Sequence, residues 1–82
     1  MNRELTYTTK ALKAIKKMPK KQALKMKDAL ENIAQDNAEN LDIKKLQGIE
    51  GFRLRIGQYR AVYTIDMVIM NVENIGSRGN IY

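Results

Sequence analysis

Arg53, Arg55, Arg60 and Arg78, together with Tyr82, are the residues of this 82-residue sequence whose types and spacing could do chemistry. A guanidinium is charged at every ordinary pH and presents forked donors that match phosphate oxygens, so the ligand that suits such a cluster is a phosphodiester. The sequence has no histidine and no cysteine, which removes thiol nucleophiles, disulfides, zinc fingers and the usual general base. Neither a metal nor a cofactor is expected. For arginines and one phenol acting on RNA, the accessible route is attack by a ribose 2′-hydroxyl on its own 3′-phosphate. That reaction needs in-line geometry, charge neutralisation on the phosphorane and a proton donor for the leaving oxygen. Arginine meets the second need but, with a pKa above ~12, cannot be the base. Tyr82 is one candidate base, because neighbouring positive charge favours the phenolate. Glu50 and Glu73 are its rivals.

The elements that must position these groups centre on the stretch from Gly51 to Tyr63. Phe52, Leu54 and Ile56 alternate with Arg53 and Arg55, the period-two pattern of a strand with a buried and an exposed face, so both guanidiniums are expected on the exposed side. Gly57-Gln58 reads as a tight turn, with glycine at the first central position as a II′ hairpin prefers, and it returns the chain through Tyr59 to Ile65 with Arg60 beside the first two arginines. A third segment, Val68 to Ile75, is rich in β-branched and apolar residues and leads to Arg78 and Tyr82. If it pairs with the second, the tail reaches the same face. The connection Ile65-Asp66-Met67-Val68 lacks the glycine or asparagine that a two-residue turn prefers, which leaves the register of the last strand open. If Val68, Met70 and Val72 face the core, Asn71 and Glu73 fall on the arginine face, with Glu73 as a structural ion-pair partner.

The order Leu46-x-Gly48, then Gly51-Phe52-Arg53-Leu54-Arg55-Ile56-Gly57-x-Tyr59-Arg60-x-Val62-Tyr63, then Ile75-Gly76-x-Arg78-x-x-x-Tyr82 resembles the RelE/ParE superfamily of toxin–antitoxin toxins along nearly the whole chain. The resemblance implies a toxin neutralised by a cognate antitoxin. In the nuclease branch, the toxin cleaves mRNA as an endoribonuclease that depends on the ribosome, with Arg53, Arg55, Arg60, Arg78 and Tyr82 as the site. A lysine pair of related nucleases matches Arg53 and Arg55, so phosphate-binding charge is kept while the base is left unassigned. The ParE branch implies another activity, inhibition of DNA gyrase by binding alone. A basic interaction module without toxicity is the third reading.

The rest of the sequence frames this site. Fifteen Lys and Arg against nine Asp and Glu give a net charge of +6, which points to an anionic partner. One phenylalanine, four tyrosines and no tryptophan provide poorly for base stacking, so phosphate contacts should dominate. Eighty-two residues make one domain, residues 1–82, with a small core. No apolar run is long enough for a signal peptide or a membrane span, and the cytoplasm is the expected compartment. Arg3 to Thr8 reads as a first strand. Thr8 or Thr9 caps a helix with Ala11, Leu12, Ile15 and Met18 on one face, Pro19 ends it, and a second helix runs to about Asp36 with Ala23, Met26, Leu30, Ile33 and Ala34 inward. Ile43 to Gln47 reads as a short edge segment, and Gly48, Gly51 and Gly57 as turn glycines. Eight lysines between Lys10 and Lys27 crowd the two helices, as a solvated face or a surface that docks on a large RNA. The expected architecture is α+β, a two-layer sandwich of order β-α-α-β(3-4) with a helical hairpin packed on a mainly antiparallel sheet.

Overall fold

The computed structural model describes residues 2–77. The elements are β1 (Glu4–Tyr7), α1 (Thr9–Lys17), α2 (Lys20–Ala34), β2 (Asp42–Lys45), β3 (Phe52–Ile56), β4 (Tyr59–Ile65) and β5 (Ile69–Gly76). One five-stranded sheet has the spatial order β1-β5-β4-β3-β2. β2, β3, β4 and β5 pair antiparallel in turn, while β1 pairs in parallel with β5, Glu4 opposite Ile69 and Tyr7 opposite Val72. The expected two-layer α+β architecture is therefore present. Its mixed character comes from the first strand lying beside the last.

The local signals explain the helices. Thr8 is the N-cap of α1, its hydroxyl accepting from the Ala11 amide at 3.0 Å, which satisfies a donor left over by the first turn. Met18 closes α1, and Pro19, with no side-chain cap to offer, precedes α2, whose first turn forms through the Ala23 amide and the Pro19 carbonyl. Ala11, Ile15 and Met18 are buried, as are Met26, Ala29, Leu30, Ile33 and Ala34. Leu12 departs from the expected stripe and is exposed, while Ala14 is half-buried against the core. α2 ends two residues earlier than its periodicity suggests. Asp36 adopts a positive φ, which ordinary helix geometry excludes.

The helices cover one face of the sheet. Leu54, Ala61, Tyr63, Met70, Val72 and Ile75 join the helical residues in the core, and their register is consistent, with Leu54 opposite Ala61, Ala61 opposite Ile75 and Tyr63 opposite both Phe52 and Val72. The Phe52 and Tyr63 rings stack with centroids 5.7 Å apart. Gly51 enters β3 at φ +130°, and a Cβ there would lie 2.9 Å from the Tyr63 carbonyl oxygen, so only glycine fits this approach.

The β4–β5 connection uses a side chain in place of the missing glycine. The Asp66 carboxylate accepts from the Val68 and Ile69 amides, both at 2.8 Å, and the Asp66 amide donates to the Ile69 carbonyl. The loop is thus Asp66-Met67-Val68, with Ile65 opposite Met70. Val68 is exposed because it belongs to this loop, so the condition that Val68, Met70 and Val72 all face the helices is met only in part. Met70 and Val72 do face them. Arg3 braces the same corner. It donates to the Asp66 carbonyl and pairs with Asp36 beyond the end of α2.

Candidate functional site

The second face of the sheet is free of helices, and the strand alternation sends Arg53 and Arg55 of β3 and Arg60 and Thr64 of β4 to it. The Gly57-Gln58 turn places Arg55 opposite Arg60. Gly57 has φ +59°, while Gln58 is not among the residues with positive φ, the combination of a II′ turn. Arg55 is exposed and Arg60 partly so, and Arg55 Nε donates to the Gly57 carbonyl at 3.2 Å. Among the described residues no carboxylate pairs with either guanidinium. Two like charges directly opposite each other on neighbouring strands repel and destabilise a sheet. An anion between them would reverse that sign.

Arg53 behaves differently, and the expectation of an exposed side chain is corrected. Only 8% of the residue is accessible. Its Nη2 donates to Asp42 Oδ1 at 2.8 Å, whereas its buried Nε has no hydrogen-bond partner among the described residues. The cause lies outside β3. Asp42 on the edge strand supplies a counter-ion, and the loop from Leu46 to Gly51, closed by the Leu46 amide on the Gly51 carbonyl, stands over the strand. Val62, directly opposite Arg53, is buried as well.

Arg78 and Tyr82 lie outside the described residues. What is described is the strand that leads to them. β5 ends at Gly76, whose register partner is Arg60, so the chain leaves the sheet beside the Arg55–Arg60 pair. The rival bases are elsewhere. Glu50 and Glu73 line one shallow pocket with Thr64 and Asp66, and Thr64 is four positions along β4 from Arg60, about 13 Å at the usual strand rise. Glu73 sits at the irregularity between Val62 and Tyr63, where the extra residue of a bulge disrupts the ladder. It makes no ion pair among the described residues, and its carbonyl accepts from the Thr8 hydroxyl. The expected role as ion-pair partner is therefore not met.

No group of residues among those described has the composition of a metal site, and no described helix is long and apolar enough to cross a membrane. The eight helical lysines are all exposed, on helices that carry only Asp28 and Glu31 as acids. They form a second basic surface on the helical layer, separated from the arginines by the sheet. Sequence reading missed Asp42, whose only signal was an acid at the start of an otherwise basic edge strand.

The family model for the ParE toxin of type II toxin–antitoxin systems matches residues 5–82. The chain belongs to this family of toxins. Its fold is similar to a chain of the RelB–RelE antitoxin–toxin complex from Methanococcus jannaschii, at TM-score 0.77 and 21% identity over 89% of each chain. It is similar to a chain of the archaeal RelE–RelB complex from Pyrococcus horikoshii OT3, at TM-score 0.74 and 25% identity over 98% of this toxin and 99% of that chain. The YoeB dimer from Staphylococcus aureus aligns at TM-score 0.74 and 22% identity, covering 90% and 94%. A search of the curated proteins finds no match. The toxin's arginine face thus sits on a scaffold shared with toxins solved in complex with their antitoxins.

Proposed function

We propose that this toxin is a metal-independent endoribonuclease that cleaves mRNA on the ribosome and is neutralised by a cognate antitoxin. The observation that carries the reading is the Arg55–Arg60 pair, register partners across a hairpin with which no carboxylate pairs among the described residues. A phosphodiester seated there would have its charge neutralised as the 2′-oxygen attacks phosphorus and the 5′-oxygen departs. The bond formed is 2′-O to phosphorus and the bond broken is phosphorus to 5′-O, giving a 2′,3′-cyclic phosphate and a 5′-hydroxyl. The 2′-hydroxyl proton passes to a base and the leaving oxygen receives one. We assign the removal of the 2′-hydroxyl proton to Tyr82, with water protonating the leaving 5′-oxygen and Arg78 as a further phosphate contact, because β5 delivers the chain beside Arg60 while Glu50 and Glu73 lie along the sheet from it. Arg53 extends the same cationic row. A surface this small gives little hold on a free RNA, so the ribosome supplies the positioning, and the lysines of α1 and α2 offer phosphate contacts to its RNA.

The second reading is inhibition of DNA gyrase, favoured by the ParE description of the matching family. The two separate in one experiment. Primer extension on mRNA in a translating extract should reveal toxin-dependent breaks, while the supercoiling activity of purified gyrase stays unchanged. Arg60→Ala should slow single-turnover cleavage about 10²–10³-fold, the usual effect of removing one transition-state charge contact, with its melting temperature preserved. Gyrase inhibition without mRNA breaks would establish the second reading.

A further inference from the structure

The loop between β2 and β3 and the neighbouring strands border an open pocket of about 450 Å³, lined by Lys44, Lys45, Leu46, Gln47, Ile49 and Arg53. We propose that this pocket is a nucleotide-binding subsite, in which a phosphate takes the Nε–Nη2 edge of Arg53 from Asp42 while the base lies against Leu46 and Ile49. The inference rests on the reading that a strand of RNA lies along the arginine face.

The state of Arg53 is the first argument. A guanidinium presents Nε and Nη2 as a parallel fork suited to two oxygens of one anion. Here Asp42 Oδ1 occupies Nη2 at 2.8 Å, and Nε is buried with no partner among the described residues. A buried donor left unmet is unfavourable, so the fork is half filled by its resident counter-ion. The side chain of Asp42 is 54% exposed, against 10% for that of Arg53. Asp42 can therefore withdraw into water at small penalty, whereas Arg53 stays where it is. This makes Asp42 an internal competitor for the anion.

Chemistry and position choose the ligand. Lys44 and Lys45 add cationic charge, while Leu46 and the exposed Ile49 offer an apolar wall, an amphiphilic combination that fits a phosphate attached to a planar base. The volume falls in the ordinary range for small-molecule sites, roughly 300–1,000 Å³. Arg53 and Arg55 are two positions apart on one face of β3, about 6.6–6.8 Å, of the order of the separation between successive phosphates of a single strand. A strand with one phosphate between Arg55 and Arg60 has its neighbour at Arg53. A purely acidic segment such as polyglutamate would find the charge but leave the apolar wall of Leu46 and Ile49 without a matching surface.

The test is an amide-shift titration of the intact chain with adenosine 5′-monophosphate, inorganic phosphate and hexaglutamate. The monophosphate should shift the amides of residues 44–49, bind more tightly than inorganic phosphate and lose that advantage in Ile49→Ser. Asp42→Asn should tighten binding by about 3–10-fold as the competing charge is removed, and Lys44→Ala should weaken it by a similar factor. Lys44 is exposed, so its variant tests the pocket even if Asp42→Asn loosens the edge strand. Silence at residues 44–49 in both the native chain and Asp42→Asn overturns the proposal. So does binding of hexaglutamate as tight as that of the nucleotide, which would assign the pocket to an acidic partner protein. Nucleotide binding here without mRNA cleavage would sink the nuclease reading and leave the subsite standing, and cleavage with a silent pocket would do the reverse.

Discussion

The two faces of the sheet are cut from the same strands and obey different rules. On the covered face, Leu54, Ala61, Met70 and Val72 are fully buried beneath the helices, and each is there because an apolar residue recurs every second position. On the open face, Arg53 and Arg55 also recur at every second position, yet one is buried and ion-paired while the other is exposed and has no ion pair among the described residues. Alternation sets the direction of a side chain. Its environment depends on what the neighbouring strand and loop bring, and for Arg53 that is Asp42 and the loop above it.

Exchanging adjacent residues of β3 tests this division most strongly. Leu54→Ala should lower unfolding free energy by about 2–5 kcal/mol, as for other large apolar side chains truncated in a packed interior. Arg55→Ala should change it by less than ~0.5 kcal/mol. Denaturant melts of the two variants, read beside cleavage assays, should show stability lost in the first and activity lost in the second. Equal destabilisation would erase the distinction between the faces.

Alkaline titration sharpens the picture of the covered face. Burial pushes the Tyr63 phenol up to about 12 from an ordinary 10.0. The folded chain therefore keeps this proton at pH values where the unfolded chain loses it. Its contribution is fully present below pH 10 and is lost as pH rises toward about 12, on the order of 2–3 kcal/mol in total. Tyr63→Phe should flatten that part of the stability profile. An unchanged profile would mean that the phenol is reached by water.

The smallest effect belongs to the corner that ends both faces. Asp66→Ala removes two hydrogen bonds to loop amides and should lower the melting temperature only slightly, since the carboxylate is exposed. Those same bonds hold the Asp66 carboxyl below its ordinary 3.8. Its stabilisation is thus present above pH 3.8 and fades as pH falls through the lower, folded value. The variant should show a shallower acid limb in the same melts.

Much of this architecture is legible in the sequence because it is written in short-range patterns. The period-two run from Phe52 to Ile56, the Gly57-Gln58 turn and the Thr8 cap each depend on a few neighbouring residues, and each forms where expected. What is not legible depends on distant partners. The loop register turns on the Asp66 side chain rather than on a turn glycine, so local composition leaves it open. The burial of Arg53 depends on Asp42, eleven residues earlier, and no local pattern in β3 reports it. The parallel pairing of β1 with β5 has no signature in β1 at all. Of the site, residue types and the hairpin were readable, and the inequality of the arginines was not.

That parallel pairing also governs when the toxin comes into being. Glu4 meets Ile69 and Tyr7 meets Val72, so the first strand to be synthesised has no partner until the fifth has been made. Contacts so far apart in sequence make for slow, late closure of the fold. During translation, β1 waits with α1, whose own packing is against β5 and β1. A nascent chain therefore carries Arg53, Arg55 and Arg60 before the sheet that holds their strands is complete.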